Sequence, residues 1–172
     1  MNAAAIRQCR WREPGGFGEA LRIGAFLQAI GIAIEVGTVG ESVIPGMTVR
    51  HGRVRVDPEV SAYPGDLLHE AGHLAVSDPA TRATIETIPT DPGDEMAAIA
   101  WSVAAAKACG TALETLFFDG GYKGNAGALR AAFGGKGWVG VPMLAAFGMT
   151  AEPRRAEEWG MPAFPAMTRW LR

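Results

Sequence analysis

The chain has 172 residues, 48% hydrophobic and 20% charged, which suits one soluble domain with a sizeable core. A formal net charge of −2 gives no basic field for nucleic acid. No apolar run reaches membrane-spanning length, and the first 16 residues carry Arg7, Arg10, Arg12 and Glu13, so they do not read as a secretory signal.

Arginines gather at both ends of the chain (Arg7, Arg10 and Arg12; Arg154, Arg155, Arg169 and Arg172) and read as solvated surface, since neither group makes a long basic run. Cys9 and Cys109 lack metal-type spacing and read as free thiols in a reducing compartment. Together with the missing leader and span, they predict a cytoplasmic protein with no membrane or nucleic-acid partner.

Residues 1–16 read as a tail that ends in the breaker cluster Glu13-Pro14-Gly15-Gly16. Over residues 17–30, Leu21, Ala25, Phe26, Ala29 and Ile30 recur at helical spacing, and Gly31 closes the helix. Residues 32–36 alternate with a period of two and favour a strand. Residues 47–57 form a predicted hairpin around His51-Gly52, with Val54 and Val56 on one face and Arg53, Arg55 and Asp57 on the other. His51 is a turn residue in this reading, not a ligand.

The next segment is Asp66-Leu67-Leu68-His69-Glu70-Ala71-Gly72-His73-Leu74-Ala75. It contains His-Glu-x-x-His, the pattern of zinc peptidases. On a helix, His69 and His73 lie one turn apart on the same face and can share one metal ion. Glu70 lies about 100° around the helix from His69, placed to act as general base on a water that the metal activates. Leu67, Leu68, Ala71, Leu74, Ala75 and Val76 would bury the helix. Asp66 either caps it or sits in its first turn, and Asp78-Pro79 stops it.

Residues 77–92 read as a loop with a helical turn near 80–85. An alanine-rich helix follows from about Asp94 to Cys109, capped by Gly110. Further helices are expected over residues 111–118, 127–133, 142–147 and 165–171, with turns at 119–121 and 134–137. Gly134-Gly135-Lys136-Gly137 lacks the spacing of a phosphate-binding loop. The order of elements predicts a single α+β domain over residues 1–172: a small antiparallel or mixed sheet packs on the His-Glu-x-x-His helix and the helix after it, and 110–172 form a helical extension.

A catalytic zinc site needs three protein ligands and an open position. The longer metzincin pattern would put a third His where this chain has Pro79. The remaining option is a carboxylate. Glu95, 22 residues beyond His73 at the start of the alanine-rich helix, is the preferred ligand, with Asp78, Glu86, Asp91 and Asp94 as competitors.

His-Glu-Ala-Gly-His-Leu-Ala followed by Glu-Met-Ala-Ala-Ile-Ala resembles the small gluzincins, especially the ImmA/IrrE type. The resemblance covers about residues 20–106, with Glu95 and Ala98 standing in a Glu-x-x-Ala pattern. Ile99 takes the place of the Asp found in larger gluzincins, and residues 110–172 match nothing in the family. The resemblance implies a zincin-like fold, a zinc (Zn2+) cofactor held by His69, His73 and Glu95, and Glu70 as catalytic base. It also implies a soluble endopeptidase of narrow specificity acting on a protein or peptide. Strand 53–56 would then be the edge strand over the cleft, able to pair with extended substrate. Tyr122, Tyr63, His51 and the arginines are candidates for stabilising the oxyanion, although Tyr122 reads first as a loop aromatic over the core. Asp66 and Asp119 are candidates for orienting a histidine. Two other readings stand beside this one: a regulatory protein-binding module with structural zinc, and a metal hydrolase that does not act on peptides.

Overall fold

The computed structural model describes residues 2–88, 91–135 and 137–172. Three residues of the expected loops, Pro89, Thr90 and Lys136, lie outside them. Among the described residues the protein is α+β, with eight helices and one three-stranded mixed sheet. No helix is long and apolar enough to cross a membrane.

The N-terminal segment is not a tail. Helix α1 (Asn2–Ile6) docks on α2 (Gly16–Ala29). Ile6 is fully buried and fits against Gly24, where any Cβ would stand 2.1 Å from Ile6 Cδ1. The Asn2 amide donates to the carbonyls of Gly24 (3.0 Å) and Ile32 (2.9 Å), and its oxygen accepts from Ile34 N–H at 2.8 Å. A single buried side chain thus ties α1, the end of α2 and the first strand together. Five residues are too few to show a helical period, so α1 left no periodic signal in the sequence.

The sheet comprises β1 (Ile34–Val36), β2 (Met47–Arg50) and β3 (Arg53–Val56). Its order is β1-β3-β2, with β1 parallel and β2 antiparallel to β3. The hairpin forms as its alternation predicts. His51 and Gly52 both take positive φ (49° and 69°), as a two-residue hairpin turn requires. Met47, Val49, Val54 and Val56 face the core with no exposure. Strand β3 is not the edge strand expected over the cleft. It is central, because β1 adds to the side that the hairpin leaves free, and Arg55 then reaches Glu35 across the outer face at 2.7 Å.

Under the sheet lies α3 (Pro64–Val76), all thirteen of whose residues are buried. Tyr63 occupies the N-cap position, Pro64 starts the helix, and Asp66 sits in the first turn without capping it. At the other end, Arg82 donates to the carbonyls of Leu74 (2.8 Å) and Ser77 (3.0 Å), and Arg172 N–H donates to Ala75 O at 2.9 Å. These bonds satisfy carbonyls that a helix C-terminus leaves open. Arg172 is therefore not free surface: its guanidinium also lies 3.9 Å from the centre of the Phe147 ring.

Helix α4 (Pro92–Cys109) packs along α3. Its cap is Asp91, which accepts from Gly93 N–H (2.8 Å) and Asp94 N–H (3.1 Å), and Gly110 closes it in the left-handed conformation. Helices α5 (Leu113–Leu116), α6 (Ala126–Gly134), α7 (Val141–Ala146) and α8 (Ala156–Trp159) complete the chain.

Residues 165–171 form no helix. Pro162 and Pro165 interrupt the run, and its backbone bonds elsewhere, as Thr168 N–H does to Met149 O at 2.8 Å. Trp170 nevertheless packs inward, edge-on to Phe26 (4.9 Å) and Trp101 (5.7 Å), and the Trp101 indole donates to Trp170 O at 2.9 Å.

Candidate metal centre

Helix α3 carries Asp66, His69, Glu70 and His73, all buried. Four titratable groups on one buried helix need compensation, because buried charges are normally paired or bound to a metal. Three of them lie within one turn, so they can serve a common centre.

The two imidazoles meet Glu95 from the first turn of α4. His69 Nε2 and His73 Nε2 are 3.2 Å apart. Glu95 Oε1 lies 3.6 Å from His69 Nε2, and Oε2 lies 3.2 Å from His73 Nε2. Atoms bound tetrahedrally to zinc at 2.0–2.1 Å are about 3.3 Å from one another. Each of these separations lies near that value, with Glu95 turning a different oxygen to each imidazole. His69, His73 and Glu95 therefore form a cluster that could hold a metal ion. The helix face is closed, while 47% of the Glu95 side chain is exposed, which leaves access from one side.

Glycine makes the meeting of these helices possible. A Cβ at Gly72 would stand 2.7 Å from Ala98 O on α4. Gly72 lies between Glu70 and His73 in the motif, so α4 can approach α3 closely where Glu95 must reach the histidines. A glycine inside a helix costs about 1 kcal/mol relative to alanine, and that cost was the sequence signal for this close approach. Gly72→Ala is expected to destabilise the protein by about 1–3 kcal/mol through overpacking. It should also weaken metal binding by moving Glu95 away. Urea unfolding and a zinc titration measure the two effects.

Burial sets the electrostatics. The His69 imidazole is pushed down to about 4 by burial and then by His73, so it stays neutral and free to ligate at neutral pH. The hydrogen bond from His73 holds the Glu95 carboxyl below its usual range, against burial and with help from the charge of Lys123. Glu70 is raised to about 8 by burial, then by Asp66 and Glu95. Asp66 is raised to about 7 by burial. A divalent cation between the ligands would reverse the trend at Glu70 by favouring its ionised form.

Three buried polar atoms here have no hydrogen-bond partner among the described residues: His69 Nδ1, Glu70 Oε2 and Tyr122 Oη. Tyr122 does cover the core, with its ring edge-on to Phe117 at 5.0 Å, but it also lies edge-on to His69 at 5.2 Å. Tyr122 and Lys123 are consecutive non-glycine residues with φ of 54°, a strained pair that fixes this loop against the site.

The other sequence candidates lie apart from the three ligands. His51 Nδ1 is 2.8 Å from Glu86 Oε1, and Glu86 also pairs with Arg50. Asp78 accepts from Ala80 N–H in its own turn, and Asp91 caps α4. Asp119 is 92% exposed and pairs with Arg130, and Tyr63 stacks on Phe118. Asp66 is buried one turn before Glu70, but His69 Nδ1 remains without an acceptor, so neither proposed carboxylate orients that ring by a direct bond.

No protein-family model, curated protein or solved structure matches the chain.

Proposed function

We propose that this protein is a zinc-dependent peptidase of the gluzincin kind, with a zincin-like fold and with His69, His73 and Glu95 as metal ligands. The observation that carries the reading is the convergence of the three residues, each with one ligand atom within 4.8 Å of the others and the two imidazole Nε2 atoms 3.2 Å apart. Zinc held there supplies Lewis acidity, which polarises a carbonyl and lowers the pKa of water to about 7.

The chain's own residues do the rest. His69 and His73 present their Nε2 atoms from a rigid, buried helix. Glu95 adds the negative charge that helps to balance the metal. Glu70 projects from the same helix turn without joining the ligand set. Its unpaired Oε2 is free to accept a proton from the attacking water and return it to the leaving amine. Burial of Glu70 keeps bulk water from competing for that proton.

Zinc also fits the donor set, since two imidazoles and one carboxylate are the ligands of a peptidase-type catalytic site. Structural zinc is usually closed by four protein ligands. Only three converge among the described residues, and one is half-exposed, which favours catalysis over a purely structural metal in a binding module. The free thiols of Cys9 and Cys109 support a reducing, cytoplasmic setting.

The reading predicts peptide hydrolysis that stops when a chelator removes the metal and returns with added zinc. A mixed peptide library analysed by mass spectrometry measures it. Cleavage that continues at full rate in the chelated protein would count against the proposal.

A further inference from the structure

The turn between β2 and β3 and the loop after α3 enclose a cavity of about 410 Å³ that none of the proposed metal ligands lines. His51 N–H donates to Ile85 O at 2.6 Å, and a Cβ on Gly52 would stand 3.0 Å from Ala83 Cα, so the two segments touch at this point. The polar lining is His51, Arg53 and Arg82, the apolar lining is Ala33, Pro79 and Ala83, and no carboxylate lines it. Its cations are only partly matched. Glu35 gives Oε1 to Arg55 at 2.7 Å, which leaves Arg53 Nε 4.0 Å from Oε2, too far for a hydrogen bond. Glu86 is already divided between Arg50 (3.1 Å) and His51 (2.8 Å). Arg82 spends Nε and Nη2 on carbonyls at the end of α3 and on Arg172 O, and its Nη1 has no partner among the described residues. Two guanidinium groups thus line one cavity with no side-chain carboxylate within hydrogen-bond reach.

We propose that this cavity is a second binding site, apart from the metal centre, and that it takes the phosphate group of a small organic phosphate ester. The inference does not rest on the metal-site reading and goes beyond it. Guanidinium forks match the oxygens of a phosphate, and a half-buried cation gains most from an anion that brings both charge and acceptors. Arg53 and Arg82 come from a strand and from a loop, so they meet a ligand from two segments, which suits a tetrahedral oxyanion better than a single planar carboxylate. The cavity lies within the range of small-molecule sites, about 300–1,000 Å³. Water takes about 30 Å³ in the liquid, so a five-atom oxyanion fills only a fraction of the space. Ala33, Pro79 and Ala83 leave an apolar wall for the carbon part of an ester.

The test uses the full chain and three probes, inorganic phosphate, ribose 5-phosphate and ribose, with affinity read by calorimetry at constant ionic strength. Ribose 5-phosphate should bind more tightly than inorganic phosphate, and ribose should not bind. Arg53→Gln removes a donor, and Ala83→Glu puts a carboxylate into the cavity while keeping both arginines. Each should weaken ribose 5-phosphate about tenfold or more, the worth of one charge-assisted hydrogen bond. Two variants on separate segments keep the test decisive if one folds poorly. The titration is run with zinc and again after a chelator, because phosphate can also ligate a metal. Binding should persist without zinc. Binding that vanishes with the zinc, or that neither variant changes, places the anion elsewhere and overturns the site, as does no binding of either phosphate. Equal affinity for inorganic phosphate and ribose 5-phosphate overturns the ester and assigns the cavity to a bare oxyanion.

Discussion

Glu70→Gln should leave zinc binding and fold intact and reduce peptide hydrolysis by about 10²–10⁴-fold, the usual contribution of a general base. Glutamine keeps the shape of the side chain and cannot accept the proton. Glu70 Oε2 has no hydrogen-bond partner for the substitution to remove. The same burial raises the carboxyl to about 8 when no metal is bound, so removing it relieves a cost of folding. The metal-free variant should therefore be at least as stable as wild type at neutral pH and above. Single-turnover kinetics and thermal melts on the same preparations measure both halves. A variant that cleaves as fast as wild type shows that Glu70 is not the base.

The second large effect concerns Glu95. In the proposed site its carboxylate is the third ligand and also links α4 to α3, so Glu95→Ala should weaken zinc binding by more than about 100-fold. Even groups that only orient a ligand are worth about 10–100-fold. Asp94→Ala is the control. Asp94 sits next to Glu95, but the capping side chain is Asp91, so Asp94→Ala should change neither affinity nor stability much. Asp91→Ala, in contrast, should cost about 1 kcal/mol of stability. A competitive zinc titration with a chromophoric chelator compares the variants. Loss of zinc from Asp94→Ala with retention in Glu95→Ala overturns the ligand assignment.

Much of the site was legible because its signals are local. His69, Glu70 and His73 are fixed relative to one another by helical geometry alone, and Asp78-Pro79 marks the end of that helix in the sequence, while the helix starts at Pro64, ahead of the Asp66 start that the sequence suggested. The hairpin was legible for a similar reason: its alternation and His51-Gly52 turn lie within eleven residues. Glu95 needed a further chemical premise, that two histidines want a third ligand, and the structure does bring it to them. The strand order was not legible. Whether β1 joins the β3 side or the β2 side of the hairpin is decided by long-range pairing, and Ile34–Val36 would look the same in either place. Gly72, Tyr122 and the arginines that cap α3 act through contacts with distant segments. The C-terminal run showed helical composition, but Pro165 and the docking of Trp170 into the core hold it in an irregular form.

A metal ion held by side chains from two helices should show itself in stoichiometry and in stability. Untagged protein, incubated with zinc and freed of excess, should retain about one zinc per chain and melt at a higher temperature than the stripped protein, because a ligand that binds only the native state stabilises it. Retention of no zinc, together with an unchanged melting temperature, would contradict the account.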